Sequence, residues 1–427
     1  MPKTAAISLS RLLPAALLAA LAVFATAPAS PAQPDAPPAA SGPAPGPMGG
    51  PMGAGGPMPG GPNGPMAGPG SGVAPPLAVE TTTLAKTGAL RTISLPGAAR
   101  PEIVAAGGKV YVLYLDPASR AFMAAAYDAD LKTAIAPPRR LIVEDPVYGH
   151  PTDIRIATDG KSLFAFYEKA NDQQGTASLW GVRLALDPSF RELSGHAGPI
   201  AAAPFHYRAQ AGEELLDDPA PLVAPGAVYV ATRLKDALTP GGRAAIRVRE
   251  LTPDLATVRR TFDIDLSGAL SGGARTFALL ADRDGFPMLA VPTATGTGFA
   301  PIDLAVPSDL LLVSLDGSWR IRKHRVLAPG QGNTLLSPMG LARSGPDLLV
   351  AYREIVHTPA PLAEARSVVA LFGPDLRQRA RLVLDATPMG MPRPRIPRPV
   401  VAAGNGRIYV GGETQLGAYL SVYSQLR

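Results

Sequence analysis

Past Val79 the apolar residues fall in short runs separated by polar and turn-forming residues, and one pattern of these runs returns six times. Each copy has a polar residue, usually followed by proline, then a short apolar segment, a Gly/Asp/Asn turn, and a second segment rich in Tyr, Phe and Val. The copies begin RPEIVAAGGKVYVLY at Arg100, HPTDIRIATDGKSLFAFY at His150, DPAPLVAPGAVYVAT at Asp218, RTFALLADRDGFPMLAV at Arg275, SPMGLARSGPDLLVAY at Ser337 and RPVVAAGNGRIYVGG at Arg398. Alternation bounded by turn residues predicts strands. Gly107-Gly108, Asp159-Gly160, Asp284-Gly285 and Asn405-Gly406 supply the positive φ that tight hairpins need.

Each unit continues into a third strand, as in AFMAAAYDADL or LLLVSLDGSW, and a fourth, such as Val258 to Ile264 or Ile321 to Leu327. Four strands at a spacing of about 50 to 68 residues predict an all-β, six-bladed β-propeller over residues 79–427. A β-sandwich or a two-domain β protein is the alternative. The sixth unit stops after its third strand, Ala418 to Tyr423, so Arg91 to Leu95 (RTISL) is expected to complete it and close the ring. Closure removes open sheet edges.

The preceding residues have a different character. Lys3 and Arg11 flank the start of an apolar run, Leu12 to Ala25, of about 14 residues, which fits a signal h-region and is too short to span a bilayer. Residues 1–29 are therefore expected to be a signal peptide. Residues 30–78 carry Asp35 as their one charge and repeat Gly-Pro-Met at Gly46, Gly50, Gly56 and Gly64, without the period of three that collagen requires. They predict a disordered linker. The protein is expected to be exported, periplasmic or extracellular, with no integral membrane segment once the signal is removed.

The 427-residue chain contains no cysteine, which excludes disulfides, thiolate metal sites and a cysteine nucleophile. Its formal charge of +6 is spread among mixed signs, with no basic stripe, so nucleic acid is not an expected partner. No Walker loop, H-E-x-x-H or G-x-S-x-G sequence is present. No cofactor and no metal are expected.

The candidate site is the ring of residues that open the first strands: Arg100, His150, Asp218, Arg275, Ser337 and Arg398. In a propeller the first strand borders the channel, so these six are expected at one mouth, with Arg100 and Arg398 side by side. Adjacent guanidinium groups suit a carboxylate or phosphate. Polar residues at strand starts are also ordinary, each Arg then pairing with a nearby acid. His150, His196, His206 and His357 are expected on the same face, together with Glu144, Asp145, Glu168, Asp217 and Glu354, but without metal-ligand spacing.

Ser314 to Trp319 (SLDGSW) resembles the Asp box of sialidases and related six-bladed propellers, two residues short and seen here as a single copy. That resemblance implies a structural turn. It also raises glycoside hydrolysis, which in that family needs an Arg triad, a Tyr/Glu pair and an Asp; Arg100, Arg275 and Arg398 would imitate the triad, and no nucleophile is placed. No specific family is matched. The leading expectation is a non-enzymatic binding or scaffold propeller whose partner is an anionic small molecule, a glycan or a protein. The alternative is a glycoside hydrolase of sialidase-like architecture. Two carboxylates and a Tyr or His converging at the mouth, at roughly 5 to 9.5 Å, would mark the enzyme.

Overall fold

The computed structural model describes residues 88–426 apart from 211, 236–244, 267–275, 293–308, 330–333, 357–363, 389–397 and 415. The signal and linker expected over residues 1–78 lie outside the described residues, as does Arg275.

The repeat folds as its alternation requires. The first blade is Ala99–Ala106, Lys109–Asp116, Ala121–Asp128 and Ala134–Ile142; the second begins His150–Thr158, Ser162–Asn171 and Thr176–Ala185. Its outer strand is broken into Glu192–Gly195 and Ala201–Pro204, both paired with the third strand. The third blade is Glu214–Ala224, Ala227–Leu234, Ala245–Leu251 and Val258–Asp265, and the fourth is Ala278–Ala281, Pro287–Pro292, Leu310–Leu315 and Ile321–Ala328. Thr334–Ser344, Asp347–Val356, Glu364–Phe372 and Gln378–Pro388 make the fifth. Val400–Gly404, Arg407–Thr414 and Gly417–Tyr423 make three strands of the sixth, and Arg91–Pro96 completes it, antiparallel to the last strand with Arg91 opposite Val422. The first strands of successive blades touch all the way round, the sixth meeting the first. The chain is a six-bladed β-propeller.

Six hydrophobic clusters hold the ring, each shared by two neighbouring blades. Second-strand tyrosines reach across: the Tyr111 hydroxyl donates to the Leu186 carbonyl at 2.8 Å and that of Tyr409 to Ala129 at 2.9 Å. These side chains are buried, so each phenol finds the partner its burial demands.

The Asp-box-like turn is not a single copy. Leu131, Phe190, Leu255, Trp319 and Leu376 all sit in the third-to-fourth-strand turns with φ between 45° and 64°. The first four are buried and the fifth packs against the cluster between blades four and five. In the sequence these turns read DADL, DPSF, PDL, DGSW and PDL. Asp316 accepts from the amides of Ser318 and Arg320 at 2.8 and 2.9 Å, and Trp319 packs on Tyr229 and Phe262 of the neighbouring blade. Each turn thus staples an apolar side chain between blades, and this is structural work.

The strand starts are where regularity fails. Four of the six first strands shift register at their opening proline: between Ala99 and Glu102, Pro151 and Asp153, Leu215 and Ala220, and Pro338 and Gly340. Proline donates no ladder hydrogen bond, so the pairing slips there and the strand bulges. Arg100 and Asp218, each before a proline, take φ of 51° and 54°. For residues with a side chain this left-handed backbone is strained. The bulges turn successive polar side chains toward the channel mouth.

Candidate functional site

Between the blades, at the level of the bulges, an ion-pair layer crosses the channel. The Arg155 Nη1 donates to Glu102 Oε1 at 2.9 Å and to the Met339 carbonyl at 2.8 Å, while its Nη2 donates to Asp218 Oδ1 at 3.0 Å. Arg398 donates to Asp153 at 2.7 Å and to Asp218 at 2.5 Å, and Arg100 pairs with the second oxygen of Asp153 at 2.8 Å. Residues from five blades meet here. Burial works against ionising Asp218, but Arg398, Arg155 and Arg100 together hold its carboxyl well below the usual carboxylate range. Arg398 likewise stays charged because Asp153 and Asp218 outweigh its burial.

Above this layer opens a cavity of about 580 Å³ lined by Arg100, Thr152, Asp153, Glu168, His206, Asp217, Asp218, Thr276, Arg353, Arg398 and Glu413 among others. Below it a second cavity of about 370 Å³ is lined by the rest of the first strands.

Glu168 stands out in the upper cavity. It lies on Ser162–Asn171, a strand buried along its whole length, and is itself 3% exposed. Its carboxyl accepts from the Thr152 hydroxyl. Burial first, then the negative charge of Asp217, push its pKa up to about 8, against the opposing pull of Thr152 and Arg100. At neutral pH it is a carboxylic acid. Asp217, on the third blade, is tied by Oδ2 to Arg233 Nη2 at 2.7 Å, while its buried Oδ1 has no hydrogen-bond partner. Burial lowers the pKa of His206, so its ring is neutral above the ordinary histidine range.

Three further buried side-chain atoms of cavity-lining residues lack partners: Thr276 Oγ1, Arg353 Nε and Arg398 Nε. A buried unpaired polar group costs roughly 1 to 3 kcal/mol. Four such atoms around one cavity, donors and an acceptor together, suit a ligand rich in hydroxyls.

The structure divides the residues expected at the mouth. Arg100, Asp218 and Arg398 line the upper cavity, and Arg100 and Arg398 do meet, through Asp153. They are already paired with carboxylates, so the expectation that these guanidiniums hold a ligand anion is corrected: their charge is consumed by Asp153 and Asp218. His150 does not line the cavity and sits 4.0 Å from Asp172. Ser337 is buried at 5% exposure opposite Arg353 and is not itself part of the lining. Sequence reasoning missed Asp153, Thr152 and Arg353. The first two follow the bulged proline at Pro151, and that proline was the available signal. Among the described residues no group of three or more acidic or histidine side chains is placed to hold a metal ion.

No family model matches the chain, and no curated protein matches it. Among solved structures it is similar to an exo-1,5-α-L-arabinanase from a bovine ruminal metagenomic library, at 11% identity over 77% of this chain and 94% of that one, with a TM-score of 0.37. A GH43_1 enzyme of Xanthomonas citri complexed with xylose matches at 12% identity over 64% and 86%, with a TM-score of 0.40. A luciferin-regenerating enzyme matches at 14% identity over 80% and 94%, with a TM-score of 0.39. At these identities the likeness is one of propeller fold. The leading expectation of a non-enzymatic scaffold is corrected on the geometry of the site itself: two carboxyl groups, Glu168 and Asp217, and a histidine, His206, line the same cavity.

Proposed function

We propose that the propeller is a glycoside hydrolase in which Glu168 is the general acid and Asp217 the partner carboxylate. The observation that carries this reading is the pairing of a buried acid, protonated at neutral pH, with a second carboxylate held by Arg233 in one polar cavity. Environments that set two neighbouring carboxyl groups apart divide acid from base or nucleophile. Glu168 gives its proton to the leaving glycosidic oxygen as the C–O bond breaks. Asp217 faces the positive charge that develops on the sugar ring and takes a proton from the attacking water, whose hydroxyl replaces the leaving group. The unpaired Thr276 hydroxyl, with the unpaired Nε of Arg398, offers hydrogen bonds to sugar hydroxyls.

Export by a signal peptide at residues 1–29, with residues 30–78 as a linker, belongs to the same reading, since it would bring the propeller to polysaccharides outside the cell. Among the described residues no helix is long and apolar enough to cross a membrane.

The test is a panel of aryl glycosides and polysaccharides given to the purified protein and to Glu168→Gln. Glutamine keeps the size of the side chain and can still accept from Thr152. We expect kcat/KM to fall by about 10²- to 10⁴-fold, the scale of general acid catalysis, with the melting temperature kept. Absence of any Glu168-dependent hydrolysis across the panel would overturn the reading.

A further inference from the structure

Arg353 is the cavity's one arginine, among the described residues, with no hydrogen bond or ion pair. It lies on Asp347–Val356, in the fifth blade, and lines the upper cavity. Its Nε is enclosed without a partner. Burial pulls its pKa down to about 10, opposed by the charge of Asp218, so the group remains a cation at neutral pH. The other guanidiniums differ: Arg100 and Arg398 are bound to Asp153 and Asp218, and Arg233 to Asp217. A guanidinium with its Nε enclosed and its donors unspent is costly to keep. Glu168, in the same cavity, carries no charge at neutral pH with which to neutralise it.

We infer that Arg353 receives the carboxylate of an acidic sugar, so that the substrate class is a glycan containing hexuronic acid residues. This rests on the hydrolase reading above and narrows it. The planar guanidinium fork matches a carboxylate in two parallel hydrogen bonds. The charge of the ligand is limited from the other side: Asp217, with one oxygen unpaired, and Glu413 also line the cavity, and a doubly charged phosphate there would meet their repulsion. A single negative charge on a ring otherwise made of hydroxyls satisfies both constraints. The hydroxyls answer the orphan atoms of Thr276 and Asp217, and the carboxylate answers Arg353.

The experiment measures binding of D-glucuronate, D-galacturonate, D-glucose, D-galactose and acetate to the full chain by calorimetry or ligand-observed NMR, beside Arg353→Met. We expect a uronate to bind at least ten-fold more tightly than its neutral counterpart and than acetate, and Arg353→Met to abolish that preference. Methionine fills the same space without a charge, and an unchanged melting temperature shows that the variant folds. Equal binding of uronate and neutral sugar, a preference that survives Arg353→Met, or acetate binding as tightly as uronate would each overturn the inference. Hydrolysis is scored separately on neutral glycosides and uronides. Glu168-dependent cleavage without uronate preference overturns the inference and leaves the hydrolase reading standing. Arg353-dependent uronate binding without cleavage of any glycoside supports the inference and overturns that reading.

Discussion

The same six strands build both ends of the channel, and the two ends have opposite chemistry. Below the ion-pair layer each blade contributes regular, apolar positions: Ile103, Ile156, Leu222, Leu279, Leu341 and Val401 line one cavity in a matching ring. Above it, at the bulged starts of those strands, acids and arginines crowd a larger space. Arg343 is a charged residue of the lower cavity, and it spends its Nε on the Ala281 carbonyl at 3.2 Å. Regular pairing lets alternation decide what faces the channel. A proline and a slipped register release the side chains from that alternation, so polar groups gather where the ladder is broken.

If the ion-pair layer separates the two ends, removing its central cation has the largest effect. Arg398→Ala leaves Asp153 and Asp218 short of their shared partner inside the protein, and breaking a buried pair in this way costs about 3 to 5 kcal/mol. Urea denaturation is expected to show a loss of that size. A loss below about 1 kcal/mol would mean that the layer is solvated and the channel continuous.

The second effect is a pH dependence located at the upper end. The Glu168 carboxyl has a pKa raised from 4.5 to about 8 on folding. The folded state therefore holds this proton more tightly than the unfolded chain does. Its contribution to stability is full below about pH 4.5 and is lost as pH rises through about 8. Denaturation midpoints of the wild type should fall over that window more steeply than those of Glu168→Gln. Hydrolysis should lose its general acid above about pH 8. Parallel stability curves for the two proteins would contradict the assignment.

The smallest effect belongs to the lower end. Arg343→Gln removes a hydrogen bond to the Ala281 carbonyl and a weak one to the Met288 sulfur, and no ion pair with a described residue, so stability should change by about 1 kcal/mol or less. Sugar binding and hydrolysis should not change. A loss of activity here would show that the two cavities communicate.

Some of the site was open to reading from the residues alone. Of the six polar strand starts, Arg100, Asp218 and Arg398 line the upper cavity, and Arg100 meets Arg398 through Asp153. Glu168 and Asp217 were expected on that face, undistinguished from Glu144, Asp145 and Glu354. In the fold Glu144 faces Arg120 on the surface, Asp145 pairs with Lys169, and Glu354 pairs with Arg366 and Arg381. Place in the ring separates the two groups, since of the five only Glu168 and Asp217 line the upper cavity, and that placement is a property of the closed ring.

What the sequence determined is the architecture. Alternation, turn residues and a repeat short of one strand are local signals, and each specifies a blade or its closure by the geometry of the backbone itself. What only the tertiary structure decided is the state of each charge. Arg100 and Arg398 open first strands and Arg353 lies in a second strand, positions that say nothing of their pairing, yet the first two are neutralised by Asp153 and Asp218 and the third is left without a partner among the described residues. Likewise, Glu168 becomes an acid with a pKa of about 8 only because ring closure removes water and brings Asp217 near. Electrostatic energy depends on distance through space and on the exclusion of solvent, and neither is written in the order of residues along a chain.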